Sequence, residues 1–380
     1  MRFIFLFLLN TILVVNIFSQ NKIVLQGMIG HSLIFMQIEK SDTEDKTAIS
    51  AIYFYKNSLR DIIMEGNWIN NKLTLFVHKN DKSYDEKFVL NSLNNKSFEG
   101  KWNDKKGQKL RVTLTEINPN SFQNKYDTKP FIKKLKSENI FDYIRTSFFE
   151  FKQDSIIYLN KKQFIWYSEK HTSNALFRLG TGFKKSAFYI NDILDETQFS
   201  NISDQLERSS DMFYSNADDE NVIYTTTINF VNNDLLGYEI FSSWFCCGAH
   251  PDFAGQGYLY DLNKNKNYDI DEIISFDEPN KVYNEKDLKA FSEYRESLFA
   301  PMLSQIIDEQ YHFTKTESDS TYNYSEVEIW QYPSWSFTND GIAFTPSLAR
   351  ALRCFEEPFL VPFAKLKKYK HPKFPYSLNL

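Results

Sequence analysis

Short apolar segments separated by polar turns fill residues 22–117, and they constrain the fold more than any other feature of the chain. The segments recur about every 8–12 residues, which is the spacing of strands in an all-β domain. Asn70-Asn71 marks one of the turns, and Asn tolerates the left-handed backbone of a tight turn between antiparallel strands. The pattern predicts a small antiparallel β domain over 22–117, a meander that forms a barrel or a sandwich.

A four-residue pattern, Glu-Gly-x-Trp, occurs twice in this β domain, at Glu65–Trp68 and at Glu99–Trp102. We interpret the two copies as equivalent strand starts, in which the glycine allows a bend and the tryptophan packs into the core. The alternative for the tryptophans is a glycan-stacking surface, because exposed aromatic rings also bind ligands.

A polar connector at residues 118–137, with two prolines and several lysines, separates this β domain from a larger one at 138–380. The clearest helix of the larger domain is predicted at about 285–313, where apolar residues recur at helical spacing. Pro301 interrupts it, so we expect a kink or two helices. Strand-like segments lie before and after the helix. The whole chain is therefore predicted to be α+β, and its second domain to contain an antiparallel sheet.

Residues 1–19 have the composition of a signal peptide. Arg2 precedes an apolar block that reaches Val15, and the small residue Ser19 provides a cleavage position. The apolar block is shorter than the ~20 residues that a membrane-spanning helix needs, although an uncleaved anchor is the alternative. We therefore expect an exported protein, periplasmic or secreted, without stable membrane insertion after cleavage.

The charge of the chain restricts its partners. The formal net charge is −5 at pH 7 and the pI is about 5.8. Nucleic acids and anionic lipid surfaces both select proteins with clustered positive charge. We expect no nucleic-acid partner and no electrostatic binding to anionic lipid.

Three cysteines are present, and export to an oxidising compartment would permit a disulfide. Cys246 and Cys247 are adjacent, and adjacent cysteines rarely bridge each other because the peptide between them strains the geometry. We expect Cys354 to pair with Cys247 or Cys246, and three free thiols are the alternative.

The segment from Cys246 to Asp252 holds the highest density of reactive residue types. In an enzyme, Cys247 would be the nucleophile and His250 its base, but catalytic Cys–His pairs are usually remote in sequence. The alternatives are a tight turn ordered by His250, or a binding role for His250 and Asp252. The sequence has no Gly-rich phosphate loop, no Gly-x-Ser-x-Gly elbow and no His-Glu-x-x-His motif, so we expect a protein without catalysis.

Oxygen-bearing side chains occur at the spacing of a calcium-binding loop. Positions 1, 3, 5, 7, 9 and 12 of an EF-hand pattern would be Asp261, Asn263, Asn265, Asn267, Asp269 and Glu272. Position 6, which needs glycine for a sharp turn, is Lys266, and a strand-like segment precedes the loop where an EF-hand has a helix. A turn between two strands is the favoured interpretation. Calcium is the one cofactor left open.

A family resemblance rests on short motifs within residues 140–370. They are Gly248-Ala249-His250-Pro251, Asp261-Leu262, Asp271-Glu272-Ile273-Ile274, Trp335-Ser336-Phe337, Asn339-Asp340-Gly341-Ile342, and Val361-Pro362-Phe363 with Leu366. This part of the chain resembles the C-terminal domain of RsiV-like extracellular proteins, a bacterial domain of unknown function. Two positions depart from the family pattern: Cys247 replaces the first glycine of the usual pair, and Asn265 replaces a turn glycine.

The resemblance implies an α+β domain outside the cell that senses or binds a ligand. In RsiV-like anti-sigma factors this domain recognises lysozyme, and in other members it accompanies a deacetylase domain, whose motif is not found here. We expect an exported, non-catalytic binding protein whose ligand is an extracellular protein such as lysozyme or a cell-wall glycan.

Candidate contact residues follow from this expectation. Trp244, Tyr258 and Trp335 would supply contact area, and His250 with Asp252 polar specificity. The alternatives are an envelope hydrolase that uses His250, Asp252 or Glu272, and a calcium-stabilised structural module.

Overall fold

The computed structural model describes residues 22–40, 47–80, 83–94, 96–208, 222–244, 252–277, 281, 283, 285–313 and 322–378. The chain divides into two compact units. The first comprises Met1–Tyr53 and Ile62–Asn118, and the second comprises Phe54–Asp61 and Pro119–Leu380. The predicted signal peptide, both adjacent cysteines and His250 lie outside the described residues.

The first unit is a closed barrel of eight antiparallel strands in sequence order. The strands are β1 (Lys22–Ile29), β2 (Ser32–Lys40), β3 (Ala48–Tyr55), β4 (Ile62–Ile69), β5 (Lys72–Asn80), β6 (Ser83–Ser92), β7 (Ser97–Asp104) and β8 (Lys109–Glu116). Pairing of β1 with β8 closes the barrel, with Gly27 opposite Leu114. The predicted α+β class, with an N-terminal antiparallel β barrel, is confirmed.

The repeated Glu-Gly-x-Trp pattern lies in the middle of β4 and β7, so the prediction of strand starts was wrong. A Cβ at Gly66 would lie 1.9 Å from the carbonyl oxygen of Thr74, and one at Gly100 would lie 2.0 Å from that of Val89. The glycines are therefore needed where the neighbouring strand approaches closely. Trp102 is buried, as the core interpretation of the pattern requires, whereas Trp68 is half-buried, with its ring centre 5.3 Å from that of Phe98.

The second unit contains three antiparallel sheets and seven α-helices among its described residues. Helices α1 (Pro130–Glu138) and α2 (Ile140–Thr146) precede a sheet of β9 (Phe151–Leu159), β10 (Lys162–Glu169) and β11 (Ala175–Leu179). Helix α3 (Tyr189–Arg208) leads to a sheet of β12 (Ile223–Val231), β13 (Leu235–Trp244), β14 (Asp252–Asp261) and β15 (Lys266–Asn267). The last elements are α4 (Ile270–Ile273), α5 (Leu288–Tyr294), α6 (Ala300–Tyr311), β16 (Ser334–Phe337), β17 (Gly341–Thr345), β18 (Phe359–Pro362) and α7 (Phe363–Leu366).

The predicted long helix is divided at the expected place. Helices α5 and α6 are joined by a π-helical turn at Arg295–Phe299, directly before Pro301 in the first turn of α6. Proline has no N–H to donate and is tolerated in the first turn of a helix. The wider turn thus takes the position of the predicted kink.

The four-stranded sheet β12–β15 is covered on both faces. Leu235 and Leu259 pack in one core, together with Leu303 of α6. Leu236 and Tyr260, which point to the opposite face, pack in a second core. Because successive side chains of a strand alternate between faces, this sheet is the middle layer of the unit.

Two sequence predictions concern the membrane and the disulfide. No helix among the described residues is long and apolar enough to cross a membrane. Cys354 is a free, exposed cysteine, and its two predicted partners lie outside the described residues. The structure thus shows no disulfide at Cys354.

Candidate functional site

Trp244 and Asp252 lie opposite each other at the end of the β13–β14 hairpin. The carboxylate of Asp252 accepts a hydrogen bond from the guanidinium of Arg353. The guanidinium carbon of Arg208 lies 5.1 Å from the centre of the Trp244 ring. Each of the two predicted contact residues therefore has a cationic partner within the protein.

Tyr258 belongs to a stack of three tyrosines on the middle sheet. Its ring centre lies 4.8 Å from that of Tyr238, whose ring is also parallel to that of Tyr260 at 5.9 Å. Burial raises the pKa of Tyr238 well above its ordinary value. The Tyr258 ring is therefore used in core packing.

The oxygen atoms of the predicted calcium loop are used within the protein. The buried carboxylate of Asp261 accepts hydrogen bonds from the backbone N–H groups of Asn263 and Lys264. It also accepts them from the hydroxyls of Tyr268 and Tyr376, at 3.0 and 2.6 Å.

The other oxygens of this loop point to different partners. Asn267 Oδ1 accepts from the N–H of Leu259, and Glu272 pairs with Lys266 at 2.7 Å. Within the described ranges, no three His, Cys, Asp or Glu side chains are grouped to hold a metal ion. The residues do not fit a calcium loop but form a turn from β14 to β15 and the start of α4.

Trp335 lines a cavity of about 510 Å³ in the second unit, together with the aromatic side chains of Tyr283 and Phe291. The position of Trp335 depends on a close approach between β16 and β14. A Cβ at Gly257 would lie 1.7 Å from the carbonyl oxygen of Trp335. Only glycine at this position lets the β16 backbone lie directly against β14.

A buried ion pair forms one part of the polar lining of this cavity. A guanidinium nitrogen of Arg295 donates to Oδ2 of Asp271, and each side chain is only 6% exposed. Among the described residues, neither Oδ1 of Asp271 nor Nε of Arg295 has a hydrogen-bond partner. Burial raises the pKa of Asp271 to about 6 even though the positive charge of Arg295 opposes this change.

Local structure fixes both members of this pair. Helix α4 is held by Glu272, which accepts a hydrogen bond from the N–H of Asp269, and it directs Asp271 inward. Arg295 is the first residue of the π-helical turn, and its guanidinium carbon lies 3.9 Å from the centre of the Phe299 ring. A π-turn shifts the register of a helix and often occurs at a functional site.

Of the residues that line this cavity, Trp335 was predicted from the sequence as a contact residue, and Asp271 occurred within a family motif. Arg295 was not predicted as a site residue, although its position in the sequence pattern is unusual. It lies four residues after Phe291 and three before Leu298, so a charged residue occupies the apolar face of the predicted helix.

No protein-family model matches the sequence, and no curated protein matches it. A crystal structure of a DUF3298 family protein from Pseudomonas aeruginosa aligns at 12% identity over 59% of this chain and 95% of that chain, with a TM-score of 0.30. A DUF3298 member from Bacteroides fragilis aligns at 13% identity over 59% and 94%, with a TM-score of 0.32. DUF3298 is an uncharacterised family, and the RsiV-like resemblance stays a prediction.

Proposed function

We propose that this chain is an exported, non-catalytic binding protein, and that its second unit binds an envelope glycan in the cavity beside Trp335. The observation that supports this proposal is the Asp271–Arg295 pair, which lines the cavity and has one acceptor and one donor atom without a hydrogen-bond partner among the described residues. A buried polar atom without a partner costs free energy, about 1–3 kcal/mol. A ligand that supplies the missing hydrogen bonds recovers part of that cost.

The chemistry of the walls favours a neutral ligand rich in hydroxyl groups. The charged side chains that line the cavity are Asp269, Asp271, Lys286 and Arg295, two of each sign. Aromatic rings offer flat apolar faces, on which the C–H face of a sugar ring packs while its hydroxyls pair with the carboxylate and guanidinium. A few polar groups among aromatic walls are typical of small-ligand sites.

The test is a titration with chitotriose, an oligomer of N-acetylglucosamine, in which binding is detected by the change in tryptophan fluorescence. We expect saturable binding to the chain without its predicted leader. Trp335→Ala should weaken it at least tenfold, which corresponds to about 1.4 kcal/mol. Asp271→Asn should weaken binding as well, because the amide no longer offers a charged acceptor to the ligand.

Trp244→Ala is the matched control, since this tryptophan lies in the same unit but does not line the cavity. It should bind chitotriose like the wild type. Lysozyme is the second probe, because the RsiV-like resemblance implies a protein ligand. Lysozyme binding that is unaffected by Trp335→Ala, with no binding of chitotriose, would contradict the glycan proposal. Cleavage of chitotriose by the wild type would instead support the hydrolase alternative.

A further inference from the structure

A second cavity of about 390 Å³ lies elsewhere in the second unit, and its lining differs from that of the first. Its walls come from the β10–β11 turn, the end of α3, the start of β12, and Arg60. The described residues that line it are mainly polar, with amide and hydroxyl side chains, and they include three aliphatic side chains and the rings of His171 and Tyr224.

The turn that forms one wall is held rigidly. The buried Glu169 carboxylate accepts hydrogen bonds from the backbone N–H groups of His171 and Thr172, at 2.8 and 2.9 Å. Ser173 adopts a left-handed backbone with φ 57°, a conformation that non-glycine residues rarely take. The backbone carbonyl of Asn174 accepts from the side chain of Gln198 at 3.0 Å. The position of Asn174 is thus set by contacts of its backbone, which do not involve its side-chain amide.

The side-chain amide of Asn174 is buried at this cavity. Asn174 is 3% exposed, and neither Nδ2 nor Oδ1 has a hydrogen-bond partner in the described part of the chain. Gln205, which also lines the cavity, donates through Nε2 to the carbonyl of Val222, while its Oε1 has no partner among the same residues. Buried polar groups in native proteins are almost always paired, so these side-chain atoms are the ones available to pair with a ligand in the cavity.

We propose that this second cavity binds a short extended peptide that ends in a free carboxylate. In an extended peptide the N–H and the C=O of one residue point to the same side. A carboxamide side chain presents one donor and one acceptor side by side, so Asn174 matches that pair. Gln205 Oε1 accepts a further peptide N–H, and the exposed Arg60 at the cavity pairs with the carboxylate.

The probe is N-acetyl-alanyl-alanine, and binding is measured by isothermal titration calorimetry on the chain without its predicted leader. We expect saturable binding, and at least tenfold weaker binding of the same dipeptide with a C-terminal amide. Arg60→Ala should weaken binding of the acid but leave the weak binding of the amide unchanged. Equal affinity for the two probes, or no binding of the acid, would overturn the proposal.

Asn174→Leu separates a ligand-binding role from a structural one. Leucine has a similar shape and no polar atoms, so the variant should lose dipeptide binding while its melting temperature stays the same or rises. A residue that mainly stabilised the fold would instead lower the melting temperature when replaced. Gln205→Met is the second variant, and it should weaken binding several-fold without a change in melting temperature.

Asn229→Leu is the matched control, because Asn229 lies on β12 outside the cavity and donates to Glu239. It should bind the dipeptide like the wild type. Wild-type affinity of Asn174→Leu would overturn the proposal, as would an equal loss of binding in Asn229→Leu. Neither result affects the glycan proposal, which is tested with a different probe and different residues.

Discussion

Gly66→Ala should strongly destabilise the barrel. The new Cβ would lie 1.9 Å from the Thr74 carbonyl oxygen, whereas real Cβ contacts essentially never fall below 3.0 Å, so about 1.1 Å of movement is required. The obstacle is the backbone of β5, which is hydrogen-bonded to β4 and β6 in a closed barrel. Overpacking typically costs about 1–3 kcal/mol. Each ladder hydrogen bond lost adds about 1 kcal/mol, and the lower entropy of the unfolded chain offsets about 0.4–1 kcal/mol. With about two ladder hydrogen bonds lost, these contributions give a net loss of about 3 kcal/mol.

Gly107→Ala is the matched control for this prediction. Gly107 has a φ of +85° and no neighbouring atom within 4 Å, so alanine there has only the left-handed backbone cost of about 1–2 kcal/mol. Native-state hydrogen exchange with mass spectrometry on the leaderless chain reports the opening free energy of β4 and β5 separately from that of the second unit. Protection of these strands in Gly66→Ala equal to the wild type, or higher than in Gly107→Ala, would refute the steric reasoning.

Two further predictions concern buried ion pairs in the second unit. Arg145→Met leaves the Asp61 carboxylate buried without its cationic partner and should destabilise the unit by about 3–5 kcal/mol in urea unfolding. Adding Asp61→Leu should recover most of that loss, and failure to recover would contradict the ion-pair explanation. Burial raises the pKa of Asp61 and of Asp271 from 3.8 to about 6, so the folded state binds their protons more tightly than the unfolded state. Below pH 4 this tighter proton binding makes its full contribution to the free energy of unfolding, about 3 kcal/mol for each group. The contribution is lost as the pH rises through 6. In thermal melts, the melting temperature of Asp271→Asn should fall less between pH 4 and 7 than that of the wild type, because asparagine does not titrate. A variant with the same pH profile as the wild type would contradict the assignment to Asp271.

The barrel shows how far local pattern determines the fold. Turn residues and strand-length apolar runs predicted antiparallel strands, because side-chain alternation and turn chemistry act over a few residues. Closure requires β1 to pair with β8, a contact remote in sequence, and the spacing alone does not separate a barrel from a sandwich. The motif around Gly66 and Gly100 was visible in the sequence, but its cause was not. The glycines relieve contact with a neighbouring strand, whose position depends on that closure.

The cavity beside Trp335 shows a different limit. Asp271 and Arg295 are 24 residues apart and become a pair only through the packing of α4 against the π-helical turn. A sequence pattern reports residue types, whereas the chemistry of this pair depends on its burial and on two atoms that have no partner within the described ranges. The calcium-loop spacing likewise reports residue types and not the direction of each oxygen. The side-chain oxygen of Asn267, for example, accepts a hydrogen bond from the backbone N–H of Leu259.

The middle sheet explains why one predicted aromatic contact residue lies at a cavity and another does not. Tyr258 is on β14, whose two faces are covered by separate cores, so its ring stacks on other tyrosines. Trp335 is on β16, which packs across β14 at Gly257 and pairs with β17. Both rings pack against a core, and the ring of Trp335 also lines the cavity. Aromatic composition does not predict this difference, because it depends on which elements pack beside each strand.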